Sequence, residues 1–358
     1  MPVETGEGKA VSRTGGGSGL TINGMKRGWG RWVTVIKTVL AVAIVVGVAR
    51  QFVRILGDAA WQQTAGLPRW ELLPLVGLLY LGAHTCWGSF WVRLLREQGV
   101  KVSWYAGLRC YFVSQFGKYV PGKAWVILLR VGMLRQGGAP AVAVAMTATY
   151  ETLASMGAGA LVAVLCLPFV GVLPAEVAGR WGWFLLVAAL PAGLALLHRT
   201  LHGWLRQRGN AVSAAAPSWF LLLQGTLHGV LGWLLLGLSL GLLLEAMEPG
   251  GAWTGSRALA VLGAVALAYV AGFVVLVTPG GLGVREWVLL HTLPPVLAGS
   301  DASPAVLAAL AALYLRLIWT VAEVICAALL YLRPASPSAM IPENLPRQAP
   351  QPYASNIR

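Results

Sequence analysis

The stretch of sequence that decides the fold is the run Gly117-Lys118-Tyr119-Val120-Pro121-Gly122-Lys123-Ala124-Trp125. Before Pro121, apolar side chains recur every three or four residues over Trp104–Val120, which predicts an amphipathic helix. Pro121 and Gly122 end this helix, because proline lacks the backbone N–H and glycine disfavours helical order. A second apolar stretch begins at Ala124. The sequence therefore predicts a helix, a break and a half-helix, with lysines on both sides of the break.

A second break follows the apolar run Ala258–Val277, at Thr278-Pro279-Gly280-Gly281-Leu282-Gly283-Val284-Arg285-Glu286. In a membrane protein, broken helices persist only where protein or a water-filled cavity shields the freed backbone groups from lipid. Two breaks therefore predict a site inside the membrane. The N-terminal end of a half-helix offers free N–H groups and a positive partial charge, which suits an anionic phosphate head group.

The composition is that of a polytopic membrane protein. Of the 358 residues, 57% are hydrophobic and 11% are charged, whereas soluble domains are about 25% charged. The net charge of +14 is explained by basic cytoplasmic loops rather than by nucleic-acid binding. The four cysteines are far apart and form no C-x-x-C pair, so neither a disulfide framework nor a zinc site is predicted.

The predicted fold is all-α, with about eight transmembrane helices and breaks or re-entrant segments near 117–135 and 278–298. Residues 1–32 and 333–358 are predicted to be disordered tails around a transmembrane domain at 33–332. Seven apolar runs predict spans at Val33–Val48, Leu72–Trp91, Ala141–Leu167, Trp181–Leu197, Trp219–Leu244, Ala258–Val277 and Pro304–Leu332.

One short segment leaves the span count open. Glu286–Leu297 is interrupted by Pro294-Pro295 and either crosses the membrane or re-enters on the same side. We favour crossing, which keeps the C-terminus in the cytoplasm. The distribution of Lys and Arg predicts a cytoplasmic N-terminus in a bacterial-type inner membrane.

Three ionisable side chains within predicted spans are expected to face the bundle interior, since charges are costly in lipid. They are Glu151, Arg316 and Glu323. Arg316 and Glu323 share a helix face but lie about 10 Å apart along the axis, too far to pair directly. Glu151 with Arg316 is one possible pair. Such pairs either lock helix packing or line a substrate or proton pathway.

The remaining charged residues near the breaks have two interpretations. Lys118, Lys123 and Arg130 are either interfacial residues of a cytoplasmic side or ligands of a head group. Arg285 and Glu286 are expected to cap and neutralise each other beyond the second break.

No catalytic or metal-binding pattern is found, so the sequence predicts neither an enzyme nor a cofactor. His198 and His202 have ligand spacing, but no glutamate accompanies them and they lie among arginines at a helix end. His84, His228 and His291 are isolated in apolar runs and are predicted to be packed or to line a cavity.

With both breaks in view, the chain resembles the lysylphosphatidylglycerol synthase transmembrane family. The resemblance lies in Gln115-Phe116-Gly117-Lys118-Tyr119-Val120-Pro121-Gly122-Lys123, followed by Arg130 and Glu151, and in Pro279-Gly280-Gly281-Leu282-Gly283-Val284-Arg285-Glu286. It implies a flippase-like domain that moves a phospholipid or a polyprenyl-phosphate-linked lipid between leaflets. The soluble aminoacyl-transferase domain of the full synthases is not found in this sequence, so we expect a stand-alone member.

The predicted partner is a membrane lipid with an anionic head group. Half-helix N-termini and basic side chains are expected to hold the phosphate, and Glu151, Glu323 and Arg316 to shape a polar path. The predicted site residues are Lys118, Tyr119, Pro121, Gly122, Lys123, Arg130, Glu151, Pro279, Gly280, Gly281, Gly283, Arg285, Glu286, Arg316 and Glu323.

Two other functions stay open. One is a non-transporting membrane partner or scaffold for a lipid-modifying enzyme or glycosyltransferase. The other, less favoured, is an intramembrane lipid-phosphate enzyme, which would need a nucleophile or a metal site.

Overall fold

A computed structural model describes residues 68–119, 124–170, 219–251, 253–275, 279–299 and 303–333, together with Arg50 and Val53. All regular structure in these residues is helical, which confirms the all-α prediction. Eight α-helices lie within them: α1 (Leu73–Glu97), α2 (Trp104–Ser114), α3 (Ala124–Arg135), α4 (Ala141–Cys166), α5 (Trp219–Met247), α6 (Gly255–Val274), α7 (Val284–Val296) and α8 (Pro304–Leu332).

Among the described residues, five helical segments are long and apolar enough to cross a membrane: Trp70–Glu97, Ala141–Cys166, Gln224–Met247, Gly255–Val274 and Pro304–Leu332. They coincide with five of the predicted spans. The other two predicted spans, Val33–Val48 and Trp181–Leu197, lie outside the described residues, as do residues 1–32 and 334–358.

Three described helices are too short to cross alone. α2, α3 and α7 contain 11, 12 and 13 residues, which gives each a length of about 17–20 Å at 1.5 Å per residue. The hydrocarbon core is about 30 Å thick. Each short helix instead takes part in a hairpin: α2 packs against α3, and α7 packs against α6.

The first hairpin, α2–α3, starts beside the C-terminal end of α8. Tyr105 Oη donates a hydrogen bond to the carbonyl of Arg333 at 2.6 Å, and Arg109 Nε donates to the carbonyl of Leu330 at 2.8 Å. Beyond α2, in the 3₁₀ turn Gln115–Tyr119, Lys118 reaches Glu323. The hairpin therefore runs from the end of α8 towards its middle.

The second hairpin, α6–α7, starts from the opposite end of α8. The start of α6 and the end of α7 line one cavity of about 460 Å³, with Thr254 and Arg257 on one wall and Val296 and Leu297 on the other. α8 begins a few residues after α7, at Pro304. The two hairpins thus approach the middle of α8 from its two ends.

α7 has 13 residues and is not among the described segments that are long enough to cross a membrane alone, and the prediction that Glu286–Leu297 crosses stays a prediction. α7 folds back along α6 because the chain reverses at the second break. α7 is also not interrupted by Pro294-Pro295, since both prolines lie in its last turns and the helix continues to Val296. Only the final backbone hydrogen bonds are lost there.

α8 has one face towards the bundle and one away from it. Leu315, Trp319, Glu323 and Ala327 recur every four residues and are buried, whereas Leu317, Val321 and Val324 are exposed. An apolar exposed face suits contact with lipid tails. The buried face puts a carboxylate in the interior of the bundle.

Close helix packing is achieved by glycines opposite large aromatic rings. A Cβ at Gly159 would lie 2.2 Å from the ring of Trp233, and one at Gly232 would lie 2.2 Å from the ring of Trp87. Small residues at helix interfaces are typical of membrane bundles, because they let neighbouring helices approach closely. Both rings also pack against Tyr269, over which Arg285 of the charged cluster described next is placed.

Candidate functional site where the two breaks meet

The two sequence breaks lie against each other in the fold. The 3₁₀ turn Gln115–Tyr119 and the 3₁₀ turn Pro279–Gly281 are in direct contact. A Cβ built at Gly280 would be 3.5 Å from the guanidinium of Arg316, 3.7 Å from the ring of Tyr119 and 3.8 Å from the carbonyl oxygen of Lys118. The tips of the two opposed hairpins therefore form one site.

The first ion pair of the site joins Arg130 of α3 to Glu151 of α4, with 3.0 Å between Nη1 and Oε2. Their side chains are 1% and 3% exposed. Arg130 also lies 4.5 Å from the ring centroids of both Trp91 and Tyr111, and its Nε donates to Ser114 Oγ at 3.2 Å. Every side of this guanidinium is occupied, so the pair is well placed to fix α3 against α4.

The second ion pair joins Lys118 to Glu323, with 2.7 Å between Nζ and Oε1. Two hydroxyl groups complete the environment of this carboxylate: Tyr119 donates to Oε2 at 2.9 Å, and Tyr80 lies 3.5 Å from Oε1. Glu323 is 2% exposed, whereas the Lys118 side chain is 17% exposed. This pair links the tip of the first hairpin to the middle of α8.

The third ion pair joins Arg316 of α8 to Glu286 of α7, with 3.0 Å between Nη1 and Oε1. The other oxygen of Glu286 accepts a hydrogen bond from the backbone N–H of Gly283 at 2.7 Å. Glu286 therefore caps the N-terminus of α7 while it binds Arg316. The backbone N–H of Gly283 is one of the half-helix donors that the sequence suggested for a phosphate, and it is already bound to this carboxylate.

These pairs differ from the two pairings suggested by the sequence. Glu151 pairs with Arg130 rather than with Arg316, and Glu286 pairs with Arg316 rather than with its neighbour Arg285. The sequence could not choose among these partners, because the choice depends on which helices the two hairpins bring together.

Arg285 is the fourth cation of this cluster. No carboxylate among the described residues forms an ion pair with it. Its guanidinium lies over the ring of Tyr269 at 3.5 Å, and its buried Nε has no hydrogen-bond partner among the described residues. A cation over an aromatic face is favourable. An unsatisfied buried donor, however, costs about 1–3 kcal/mol.

The glycines of the second motif each have an identifiable reason. Gly280 and Gly283 have positive φ angles of 59° and 86°, which residues with a Cβ rarely adopt. Gly281 and Gly272 leave room for Arg285, since a Cβ at either position would lie 2.9 Å from its Nε. The glycines of the motif thus permit the chain reversal and leave the space that the Arg285 side chain occupies.

The described cluster has an excess positive charge. Four cations, Lys118, Arg130, Arg285 and Arg316, accompany the three carboxylates Glu151, Glu286 and Glu323. An anion bound beside Arg285 would balance this charge.

Three of the predicted site residues, Pro121, Gly122 and Lys123, lie outside the described residues. Pro279 begins the second 3₁₀ turn. The other eleven predicted residues all lie at the tips of the hairpins or in the three ion pairs.

Sequence reasoning missed three aromatic residues on α1, namely Tyr80, Trp87 and Trp91. They are buried and lie between the ion pairs, together with His84, which was predicted to be packed or to line a cavity and is buried. His84 packs against Tyr80 and Trp87, with ring centroids 4.5 and 5.1 Å apart, and neither ring nitrogen has a hydrogen-bond partner among the described residues. Their spacing of three and four residues was a readable signal for one face of a span.

No group of three or more potential metal ligands is found in the described part of the chain. His228 and His291 each contact the carbonyl four residues earlier, at 2.7 Å through Nδ1. The four cysteines are free and belong to different helices. His198 and His202 lie outside the described residues.

A bundle of apolar helices, with two opposed hairpins and a charged cluster between them, defines a multi-pass membrane protein with an internal polar site. The sequence model of one family, described as the lysylphosphatidylglycerol synthase TM region, matches residues 34–322. The chain belongs to this family, as its two motifs suggested. Comparison with curated proteins gave no match. Membership of the family points to a function associated with membrane lipids.

Proposed function

We propose that this protein moves a lipid with an anionic head group, a phospholipid or a polyprenyl-phosphate-linked lipid, between the leaflets of the membrane. The observation that supports this most directly is the meeting of the two breaks around an unpaired arginine. A lipid phosphate carries the charge that this cluster lacks, and acyl or prenyl chains would stay in the bilayer. The proposal requires no covalent chemistry.

The head group would bind beside Arg285, at the contact of the two hairpin tips. Lys118 and Arg316 are the neighbouring cations with partial exposure, at 17% and 20% of their side chains. Arg130 is fully buried between two rings, so its role in the proposal is to hold α3 against α4 rather than to bind the lipid.

Opposed hairpins also suggest how access alternates. In transporters built from inverted elements, the site stays near the midplane while the two elements rock about it. Here, movement of α2–α3 would open the site to the side of the α8 C-terminus, and movement of α6–α7 would open it to the other side. Contact between the tips would close both routes.

The orientation in this proposal follows the basic residues. Arg93, Arg96, Lys101 and Arg135 lie at helix ends or in loops on the side of the α8 C-terminus, and Arg109 of α2 contacts the last turn of α8. By the positive-inside rule this side is cytoplasmic. The N-terminus would also be cytoplasmic, in a bacterial-type inner membrane.

The test is leaflet exchange in liposomes that contain the purified protein. Head-group-labelled phosphatidylglycerol and a labelled polyprenyl phosphate would be followed separately. We expect exchange well above that of empty liposomes for at least one of the two lipids.

Arg285→Gln is expected to slow that exchange about tenfold or more, because a hydrogen bond to a charged group contributes about 1.5–3 kcal/mol. Arg135→Gln, at the exposed end of α3, is the matched control and should exchange lipid at the wild-type rate. No exchange of either lipid by folded wild-type protein would contradict the proposal. It would favour the alternative, a scaffold for a lipid-modifying enzyme or glycosyltransferase.

A further inference from the structure

The three ion pairs of the cluster differ in how easily they can open. In the Arg130–Glu151 pair, two rings and Ser114 surround the arginine. In the Arg316–Glu286 pair, the carboxylate also caps a helix through Gly283. Opening either pair would break further structure.

The Lys118–Glu323 pair is held by side chains alone. Lys118 Nζ also donates to Tyr80 Oη at 3.2 Å and lies 5.2 Å from the ring centroid of Tyr119. Neither member caps a helix, and the Lys118 side chain is 17% exposed, whereas that of Arg130 is 1% exposed.

Lys118 lies in a short 3₁₀ turn at the tip of a hairpin, on a flexible side chain with a single compact charge. It also lies beside Gly280, at the contact of the two tips. Among the three paired cations of the cluster, Lys118 is therefore the one that an entering anion can most readily take from its carboxylate.

Glu323 cannot simply be left behind as an anion. It is 2% exposed, and without Lys118 only the hydroxyl groups of Tyr119 and Tyr80 would contact it. A buried carboxylate that has lost its cation is destabilised by several kcal/mol. Taking up one proton removes the charge and the penalty.

We infer that binding of the anionic head group at Lys118 is coupled to the uptake of one proton by Glu323. The anion binds the Nζ of Lys118, and the proton comes from bulk water to an Oε of Glu323. On release of the head group the proton returns to water and the ion pair re-forms. This inference rests on the proposed function, and it supplies that function with a coupling ion.

Charged and titratable groups of several helices lie around Glu323. Tyr80 of α1, and Lys118 and Tyr119 of the first hairpin, contact it directly. On α8 itself, Cys326 is one turn away and Arg316 is engaged by Glu286. Tyr269 of α6 lies under Arg285 of α7, and Arg109 of α2 is occupied at the end of α8. His84 of α1 packs on Tyr80 with ring centroids 4.5 Å apart, and a proton taken up there would leave the pH dependence intact in Glu323→Gln.

The experiment measures the affinity of short-chain phosphatidylglycerol for the purified protein in detergent by calorimetry between about pH 5.5 and 8.5. The phosphodiester does not titrate in this range. Protonation of Glu323 favours the bound state, so affinity is expected to fall as pH rises, by up to about tenfold per pH unit for one coupled proton.

Glu323→Gln mimics the protonated side chain and is expected to bind the lipid with the same affinity at every pH. Glu248→Gln, at the opposite end of the bundle from the α8 C-terminus, is the control and should keep the wild-type pH dependence. If Glu323→Gln does not fold, wild-type titrations in buffers of different ionisation enthalpy count the protons directly. The expected value is close to one proton taken up per lipid bound.

Two results would overturn the inference while leaving lipid binding intact: a pH-independent affinity in the wild type, or a pH dependence that persists in Glu323→Gln. Absence of any binding by folded wild-type protein would instead overturn the proposed head-group site, and the coupling with it.

Discussion

Replacement of Arg130 by methionine is expected to lower the free energy of unfolding by about 3–5 kcal/mol, because it leaves the Glu151 carboxylate buried without its cation. Arg130 and Glu151 are 1% and 3% exposed and lie 3.0 Å apart. Methionine retains much of the apolar volume between Trp91 and Tyr111, so the loss reports mainly the unpaired charge. Unfolding of the detergent-solubilised protein by increasing denaturant measures the effect.

The double variant Arg130→Met with Glu151→Leu is the control for this prediction. Replacing both members of a buried ion pair by apolar residues is often neutral or stabilising, so the double variant should recover most of the lost stability. If it is as unstable as Arg130→Met alone, the loss comes from packing around Arg130 and the electrostatic explanation is wrong. Glu151→Gln should also destabilise, since it leaves the arginine buried without a carboxylate.

Replacement of Gly117 by alanine is expected to have the second large effect, at the tip of the first hairpin. A Cβ there would lie 2.6 Å from the backbone N of Val126 and 2.7 Å from the carbonyl carbon of Trp125. Both are backbone atoms at the start of α3, so no side chain can rotate away. The hairpin would have to open, at a cost of about 3 kcal/mol. Lys118 would also shift relative to Glu323.

Gly132→Ala is the matched control on the same hairpin. It lies in the exposed part of α3, and no atom lies within 4 Å of the added Cβ. Alanine is the better helix former, so this variant should be as stable as the wild type or more stable by about 0.5–1 kcal/mol. Thermal unfolding and lipid exchange would be measured on both variants. Equal stability of the two would mean that the hairpin tip tolerates the extra methyl group and that the predicted clash is wrong.

Much of the fold was predictable from the sequence, because length and hydropathy alone determine which segments can cross a membrane. The five long helices follow the predicted apolar runs closely. The second break contains the turn Pro279–Gly281, and the first lies between Tyr119 and Ala124, whose intervening residues are outside the described part of the chain. How α7 packs along α6 was not predictable. That packing depends on glycine dihedral angles at the second break, which composition does not report.

The site was predictable as a set of residues but not as a set of partners. Charges inside apolar runs identified Glu151, Arg316 and Glu323, since burial of a charge requires a polar neighbour. Which cation meets which carboxylate could not be predicted, because Lys118–Glu323 and Arg130–Glu151 depend on where α2–α3 lies. The stripe of Tyr80, His84, Trp87 and Trp91 was visible in the sequence as a spacing, but spacing alone does not say what it faces.

The sequence by itself determined that this chain is a helical membrane protein of the lysylphosphatidylglycerol synthase transmembrane family with two broken helices, because apolar length, proline and glycine act locally. Only the tertiary structure decided that the breaks meet, that three of four cations are neutralised and that Arg285 is not. The reason is physical: the pairing of charges depends on distances of about 3 Å between helices, and such distances exist only once opposed hairpins have packed together.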